Sequence, residues 1–191
     1  MGTLGPKSAM LGDGARVTLR SALPEEAAAT LEFRLRSARS APYIATSPHE
    51  VPSDPLVQRA RIEQFIAHER EVLLVALDDA GRIIALAALT SPGRARLNHV
   101  VDLGMALDQA WRGRGLGTLV MRALLDWAHA CPGVLKVSLG VIPENHPAIR
   151  LYERMGFVPD GLQRAHFRRD DGVFLDHALM ACWVKPGAAP V

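Results

Sequence analysis

The chain has 191 residues, a length that suits one domain with a sizeable hydrophobic core better than two domains. Hydrophobic residues make up 49% of it and charged residues 22%, which is typical of a globular protein and excludes an intrinsically disordered one. The formal net charge of +2 argues against a nucleic-acid-binding domain that works by neutralising phosphates.

Cysteine usage and hydropathy limit the location of the protein. The two cysteines, Cys131 and Cys182, have neither metal-ligand nor redox spacing, so the sequence predicts no disulfide framework and no metal site. No apolar run approaches the ~18 residues of a membrane-spanning helix, and the N-terminus lacks the features of a signal peptide. We therefore expect a soluble, cytoplasmic protein with neither a membrane nor a nucleic-acid partner.

The first predicted elements follow an unpatterned start. Residues 1–14 are rich in glycine and small side chains, which predicts a flexible leader. Alternating polar and apolar side chains at residues 16–20 predict the first strand. A proline and two glutamates at 24–26 suit the first turn of a helix that should reach about Ala38.

Four prolines interrupt the next stretch, residues 40–55, and favour a shaped loop. Within this loop, Tyr43, His49 and Glu50 either contact an acceptor molecule or lie on an ordinary surface loop. A second helix is expected at about residues 56–69, with apolar side chains on one face.

Three strands are predicted in succession after the second helix. Residues 71–77 and 82–90 are apolar runs separated by Asp-Asp-Ala-Gly, which predicts a hairpin turn. The third strand is predicted at residues 97–107. Gly104 inside this strand indicates a bulge, a close backbone approach, or a glycine that is tolerated for packing.

The third strand leads into a glycine-rich basic turn, Trp-Arg-Gly-Arg-Gly-Leu-Gly at residues 111–117, which we call the glycine turn. Its three glycines let backbone N–H groups and the N-terminus of the following amphipathic helix point at one spot. Arg112 and Arg114 add positive charge. The turn therefore predicts a cradle for a phosphate-like anion. A P-loop is excluded because Gly-Lys-Ser/Thr is missing, and a dinucleotide fingerprint because Val120 replaces its third glycine.

Strands and helices alternate over the rest of the chain. After a helix that stops near Pro132, we expect a strand at 134–142, a helix at 146–154, a strand from 157, and a closing hairpin at 167–184 around the turn 170–172. The order is then β-α-α-β-β-β-α-β-α-β-β. Because a right-handed crossover joins them, strands 97–107 and 134–142 should lie parallel and near one another.

Two segments carry a family resemblance. Arg-Gly-Arg-Gly-Leu-Gly at 112–117 resembles the pyrophosphate-binding signature R/Q-x-x-G-x-G/A of the GNAT superfamily of acyl-CoA-dependent N-acetyltransferases. Residues 145–157, Asn-His-Pro-Ala-Ile-Arg-Leu-Tyr-Glu-Arg-Met-Gly-Phe, are similar to its second hallmark, N-x-x-A-x-x-L-Y-x-x-x-G-F. Their joint occurrence, one strand apart, is far more specific than either motif alone.

The resemblance implies a fold and a domain. The expected fold is a mixed α/β GNAT fold, in which a central, mostly antiparallel sheet contains a splayed parallel strand pair and carries flanking helices. The resemblance spans about residues 17–184 and is weakest between 38 and 71. We accordingly predict one N-acetyltransferase domain at 15–185, between the leader and a flexible tail at 186–191.

The resemblance also implies a binding site for acetyl-CoA. The backbone of the third strand should pair with the pantetheine arm, the glycine turn should hold the pyrophosphate, Asn145 should contact the cofactor arm, and Tyr152 should lie near the sulfur. The implied cofactor-binding residues are Met105, Ala106, Leu107, Arg112, Gly113, Arg114, Gly115, Leu116, Gly117, Thr118, Asn145 and Tyr152.

Amine acetylation needs a group that removes a proton from the amine and a donor for the leaving thiolate. Tyr152 suits the donor role because a phenol stays protonated at neutral pH, although its ring could instead pack under Phe157. Asp102 and His99 are the candidate bases. Since strand side chains alternate, these two should point to opposite faces unless a bulge intervenes.

The predicted activity is direct transfer of an acetyl group from acetyl-CoA to a primary amine of a small molecule such as an amino acid, a polyamine or an antibiotic. No cysteine is placed to carry a covalent acyl group, so a ternary complex is expected. Two alternatives stay open: acetylation of a protein N-terminus or lysine, and a catalytically silent acyl-CoA sensor. A homodimer also stays open, although no segment identifies an interface.

Overall fold

The computed structural model describes residues 3–40, 43, 46–169, 171–185 and 187. Its strands are Lys7–Met10 (β1), Arg16–Ser21 (β2), Val72–Leu77 (β3), Ile83–Thr90 (β4), Val100–Leu107 (β5), Lys136–Val141 (β6), Val158–Arg168 (β7) and Phe174–Trp183 (β8). Its α-helices are Ala27–Ser40 (α1), Pro55–Ala67 (α2), Leu116–Ala130 (α3) and His146–Arg154 (α4). None of the helices in these described ranges is both long and apolar enough to cross a bilayer.

The described strands form one mixed sheet in the order β1-β2-β3-β4-β5-β6-β8-β7. All neighbouring strands are antiparallel except β5 and β6. Helices cover both faces: α3 and α4 pack on one face through Leu116 and Leu151, while α1 and α2 pack on the other through Phe33 and Phe65. This arrangement confirms the predicted mixed α/β fold with a parallel pair and flanking helices.

The parallel pair separates soon after it begins. β5 and β6 pair only over Val100–Asp102 and Lys136–Ser138. Beyond that point β5 continues to pair with β4 as far as Leu107, and β6 continues to pair with β8 as far as Val141. The splay of the parallel pair that the resemblance implied is therefore confirmed, and it leaves a gap in the middle of the sheet between two strand edges.

The N-terminal segment differs from its prediction as a flexible leader. β1 pairs antiparallel with β2, the backbone N–H of Ser21 donates to the Leu4 carbonyl at 2.9 Å, and Leu11 is only 7% exposed. The leader prediction is therefore wrong for residues 4–11. A four-residue edge strand is too short to show periodicity, and the backbone of β2 is what holds it in place.

Two further boundaries differ in detail. The strand predicted from residue 97 begins at Val100, because Ala95–Leu97 forms a 3₁₀ turn. The closing hairpin is present, with the Arg169 N–H donating to the Val173 carbonyl at 2.9 Å, but Asp170 of its predicted turn lies outside the described residues. The predicted tail at 186–191 also lies outside them except for Gly187. The domain limits 15–185 stay a prediction.

Candidate functional site

A cavity of about 890 Å³ occupies the gap between β5 and β6. Side chains from both faces of the sheet line it, so the cavity crosses the sheet from the α3 side to the α1 and α2 side. Ten of the predicted site residues are among the described residues that line it: Met105, Ala106, Leu107, Arg112, Gly113, Gly115, Gly117, Thr118, Asn145 and Tyr152.

The glycine turn forms the mouth of the cavity on the α3 side. Gly113 and Gly115 have φ angles of +73° and +92°, a region that side chains other than glycine rarely adopt. Gly115 is the N-cap of α3, so the free N–H groups of the first helical turn begin here. Both Arg112 Nη2 and Arg112 Nε donate to the Leu107 carbonyl, at 3.2 and 3.4 Å, which fixes this guanidinium beside the turn. The turn presents oriented N–H groups and a positive charge to an anion.

Two predicted cofactor-binding side chains point elsewhere. The guanidinium of Arg114 pairs with Asp13 and lies over the Trp111 ring, 4.2 Å from its centroid. The Arg114 hydrogen bond holds the pKa of Asp13 below its usual range. Leu116 is fully buried in the core beneath α3. Neither side chain is among the described residues that line the cavity, so these two positions can contribute only backbone groups to it.

Helix α4 forms the opposite lip of the cavity. The Asn145 side chain accepts a hydrogen bond from the Ala148 N–H at 3.4 Å and so caps the helix, while it also lines the cavity. Gly117 of α3 lets the two helices approach, because a Cβ at this position would lie 3.0 Å from Leu151 Cδ2. Arg150 and Arg154 of α4 add positive charge to the lining.

Tyr152 combines the two roles that the sequence left open. Its ring packs against Phe157 with 5.9 Å between centroids, and it is only 8% exposed, yet it also lines the cavity. Burial raises the pKa of the Tyr152 hydroxyl. No described residue hydrogen-bonds this hydroxyl, so a protonated donor faces the space between the strands.

The two candidate bases lie outside the cavity lining. Val101 and Leu103 point into the core, so the alternation of β5 turns the Asp102 side chain to the other face, where it is exposed. Partial desolvation raises the pKa of Asp102. His99 precedes β5, and its carbonyl accepts hydrogen bonds from the Leu135 and Lys136 N–H groups. The cavity begins beyond both residues, at Leu103, so their predicted role as base stays a prediction.

His177 of β8 is a cavity residue that the sequence did not single out. Its ring crosses in front of Gly140 on β6, where any Cβ would overlap the imidazole. His177 Nδ1 lies 3.0 Å from Gln163 Oε1, and the ring stacks on His166 with 5.1 Å between centroids. Burial, and then the nearby His166, lower the pKa of His177. The only local signal is Gly140, since a glycine inside a strand often marks a close approach.

A bulge in β7 shapes the same wall. The pairing register with β8 shifts between Gln163 and Phe167, and Ala165 has a φ angle of +49°. Asp176 holds the bulge by accepting from the Ala165 N–H at 2.8 Å and from Arg164 at 2.9 Å. The Phe167 ring then meets His177 edge-on, 4.9 Å between centroids, and both line the cavity.

Charge in the lining has one sign. The described lining residues include five arginines and one histidine but neither aspartate nor glutamate. Three of the arginines, Arg112, Arg150 and Arg154, belong to the glycine turn and α4. The other two, Arg34 and Arg61, lie on α1 and α2 across the sheet and were not predicted. The cavity is therefore suited to anionic groups at both ends.

The chain is similar to known acetyltransferases in sequence. The family model described as "Acetyltransferase (GNAT) family" matches residues 34–157. The L-amino acid N-acetyltransferase AaaT of Escherichia coli K12 is 31% identical over 108 residues, which cover 56% of this chain and 65% of that protein.

Solved structures show the same fold. The GNAT-family acetyltransferase from Streptococcus pneumoniae superposes with a TM-score of 0.84 at 24% identity, covering 87% of this chain and 99% of that one. The putative acetyltransferase yncA from Salmonella typhimurium, solved with acetyl-CoA, gives a TM-score of 0.79 at 22% identity, covering 92% and 98%.

Proposed function

The chain belongs to the acetyltransferase (GNAT) family, and from this premise we propose that it transfers an acetyl group from acetyl-CoA to a primary amine of a small molecule. The observation that carries the proposal is the cavity through the splayed sheet, which joins the glycine turn on one face to the α1 and α2 wall on the other. The printed name of AaaT, an L-amino acid N-acetyltransferase, supports an acceptor of this size.

The residues of the cavity fit coenzyme A in two respects. At the glycine turn, no atom beyond the adjoining chain lies within 4 Å of where a Cβ of Gly113 or Gly115 would be, so the turn has open space that a pyrophosphate can occupy. Along β5, the backbone edge of Leu103–Leu107 has no strand partner on the β6 side in the described sheet, so it can pair with an amide-containing chain such as pantetheine.

When bound, acetyl-CoA supplies an activated acyl group that a neutral amine can attack. We propose that His177 accepts the proton of the amine, because its lowered pKa keeps the imidazole neutral at pH 7. A hydrogen on Nδ1 donates to Gln163 Oε1 and leaves Nε2 free to accept a proton. Tyr152, whose pKa is raised, keeps its hydroxyl proton and can donate it to the leaving sulfur. Asp102 and His99 are the alternative bases.

A small acceptor fits better than an extended peptide. The described residues Tyr43, Thr46 and Val51 of the connection between α1 and α2 contribute to the lining of the cavity. A protein terminus or lysine would need an open groove there.

The test is calorimetric titration of acetyl-CoA into the purified protein, followed by a panel of amines with detection of released thiol. Binding together with thiol release for one class of small amines is the expected result. Binding without release across the panel would favour the sensor alternative, and the absence of binding would overturn the assignment of the glycine turn.

A further inference from the structure

We propose that Arg34 and Arg61 form a subsite for an acidic group of the acceptor, so that the amine substrate carries a carboxylate or a phosphoryl group. The inference rests on the proposed function and narrows its substrate class. It favours amines that carry a carboxylate, such as amino acids, or a phosphoryl group. It disfavours polyamines, which carry only positive charge.

The first observation is that the Arg34 guanidinium is held in place. Its Nη1 donates to Gln58 Oε1 at 2.9 Å, and Gln58 is only 1% exposed between α1 and α2. A buried amide in a helix interface has a fixed position, so it fixes the guanidinium too. One of the five N–H donors of Arg34 is used in this way, and no other acceptor among the described residues takes a hydrogen bond from this side chain, which also lines the cavity.

The second observation is that neither charge is neutralised by the chain as described. On the same two helices, Arg36 pairs with Glu32 and Asp108, and Arg59 pairs with Glu63. Within the described residues, Arg34 and Arg61 have no carboxylate oxygen within 4.0 Å.

The positive charge of Arg61 also acts on Arg34. Desolvation, and then the positive charge of Arg61, lower the pKa of Arg34. A partly buried guanidinium beside a second one costs stability unless an anion joins them. An acidic group between the two would form charge-assisted hydrogen bonds with both, and Arg is the side chain best shaped to bind carboxylate or phosphoryl oxygens.

The third observation is the position of the pair. Arg34 and Arg61 lie on the face of the sheet opposite the glycine turn, and the apolar side chains of Phe33, Leu86 and Ala106 line the cavity on that same face. An acceptor anchored by its acidic group at the two arginines would extend its amine over this apolar floor toward His177 and Tyr152. The subsite therefore gives the acceptor a direction as well as a charge.

The test on the unaltered protein compares matched acceptors with and without the acidic group. Each α-amino acid is paired with its carboxamide, and 2-aminoethyl phosphate with ethanolamine, and kcat/KM is measured for each. We expect the acidic member of at least one pair to be preferred by about tenfold or more, as for a lost charge-assisted hydrogen bond. Equal use of both members of every pair, or preference for a polyamine, would overturn the proposal. The pair that shows the preference identifies a carboxylate or a phosphoryl group.

The two arginines are tested by substitution, with a matched control arginine on α2. Arg34→Gln and Arg61→Gln should each reduce the preference for the acidic acceptor at least about tenfold and leave the Kd of acetyl-CoA unchanged. Arg59→Gln should leave both unchanged, because Arg59 points to solvent and pairs with Glu63. Equal losses on the acid and its amide would show that the arginines only support the fold, and would overturn the subsite.

Binding gives a readout that needs no turnover. N-acetylated acidic products should raise the melting temperature of the wild-type protein more than their amides do, and Arg34→Gln should remove the difference. Failure of the proposed function can be told apart from failure of the subsite, because in the first case no amine causes thiol release. Thiol release with neutral amines alone, or with peptides but no free acidic amine, would instead leave transferase activity standing and overturn this subsite.

Discussion

At the residue scale, Tyr152 is the proposed proton donor to the leaving sulfur. It is a buried phenol in the cavity wall, and its raised pKa keeps the proton on the hydroxyl throughout the neutral range. The Phe157 contact fixes the ring, so removing the hydroxyl alone should leave the packing intact.

We therefore expect Tyr152→Phe to lower kcat by about 100-fold, the usual scale of a lost general acid, with little change in the Kd of acetyl-CoA. Single-turnover kinetics and calorimetry measure the two quantities. A wild-type rate would leave Tyr152 as a packing residue, and a large loss of acetyl-CoA affinity would make it a binding residue.

His177 should determine the acid side of the pH–rate profile. Because its folded-state pKa is lowered, the proton leaves at a pH below the ordinary value of about 6.5, and the imidazole is neutral at pH 7. The unfolded chain takes up this proton near pH 6.5 while the folded chain resists it. The contribution of His177 to stability is thus present above pH 6.5 and is lost as the pH falls through the folded-state value.

His177→Gln should lower kcat/KM and remove the acidic limb of its profile between pH 5 and pH 7. Gly140→Ala, which forces the ring aside without changing it, should lower kcat in the same direction. Asp102→Asn and His99→Gln test the two alternative bases in the same assay. If one of these variants loses the acidic limb of the profile while His177→Gln keeps it, the residue replaced in that variant is the base.

At the element scale, the N-terminus of α3 depends on a left-handed glycine. Gly115 has a φ angle of +92° and ψ of −9°, and no neighbour crowds its Cβ position. A side chain here costs stability only through the backbone, but it also projects into the cavity. Gly133, just beyond the end of α3, has a φ angle of +80° with open space around it and lies away from the described cavity lining, so it is a matched control.

Gly115→Ala and Gly133→Ala should each lower the free energy of unfolding by about 1–2 kcal/mol, the cost of a left-handed non-glycine residue. Only Gly115→Ala should weaken acetyl-CoA binding. Urea denaturation and calorimetry test both parts, and equal acetyl-CoA affinities for the two variants would remove the glycine turn from the cofactor site.

At the scale of the whole molecule, the N-terminal segment is part of the fold. Leu11 is buried in the same cluster as α3, whereas the neighbouring Met10 is 62% exposed. Asp13 adds an ion pair with Arg114 beside the glycine turn. The segment therefore joins the edge of the sheet to the region of the proposed cofactor site.

Leu11→Ala should lower the free energy of unfolding by about 2–5 kcal/mol, as for other buried leucines, whereas Met10→Ala should change it by less than about 0.5 kcal/mol. Thermal and urea unfolding of the two variants provide the comparison. Equal stabilities of the two variants would support the prediction from the sequence that residues 4–11 are a flexible leader.

The sequence by itself determined the features that depend on neighbouring residues. Glycines at 113 and 115 permit the turn that the backbone makes there, the apolar spacing after 116 favours a helix, and a strand-helix-strand order favours a parallel crossover pair. Each of these rules acts over a few residues or one connection. The glycine turn, the helix after it and the parallel pair were therefore predictable from these rules, whereas the placement of Tyr152 was implied by the family resemblance.

Only the tertiary structure decided which distant side chains share the cavity. His177 meets Gly140 because β8 lies beside β6, and Arg34 meets Gln58 because α1 packs on α2. Neither pairing has a local pattern, since each depends on how strands are ordered or helices are packed. The same reason explains why Asp102 lies outside the cavity lining. Its charge among apolar neighbours suggested a site residue. The direction of its side chain and the point where β5 leaves β6, however, place it outside.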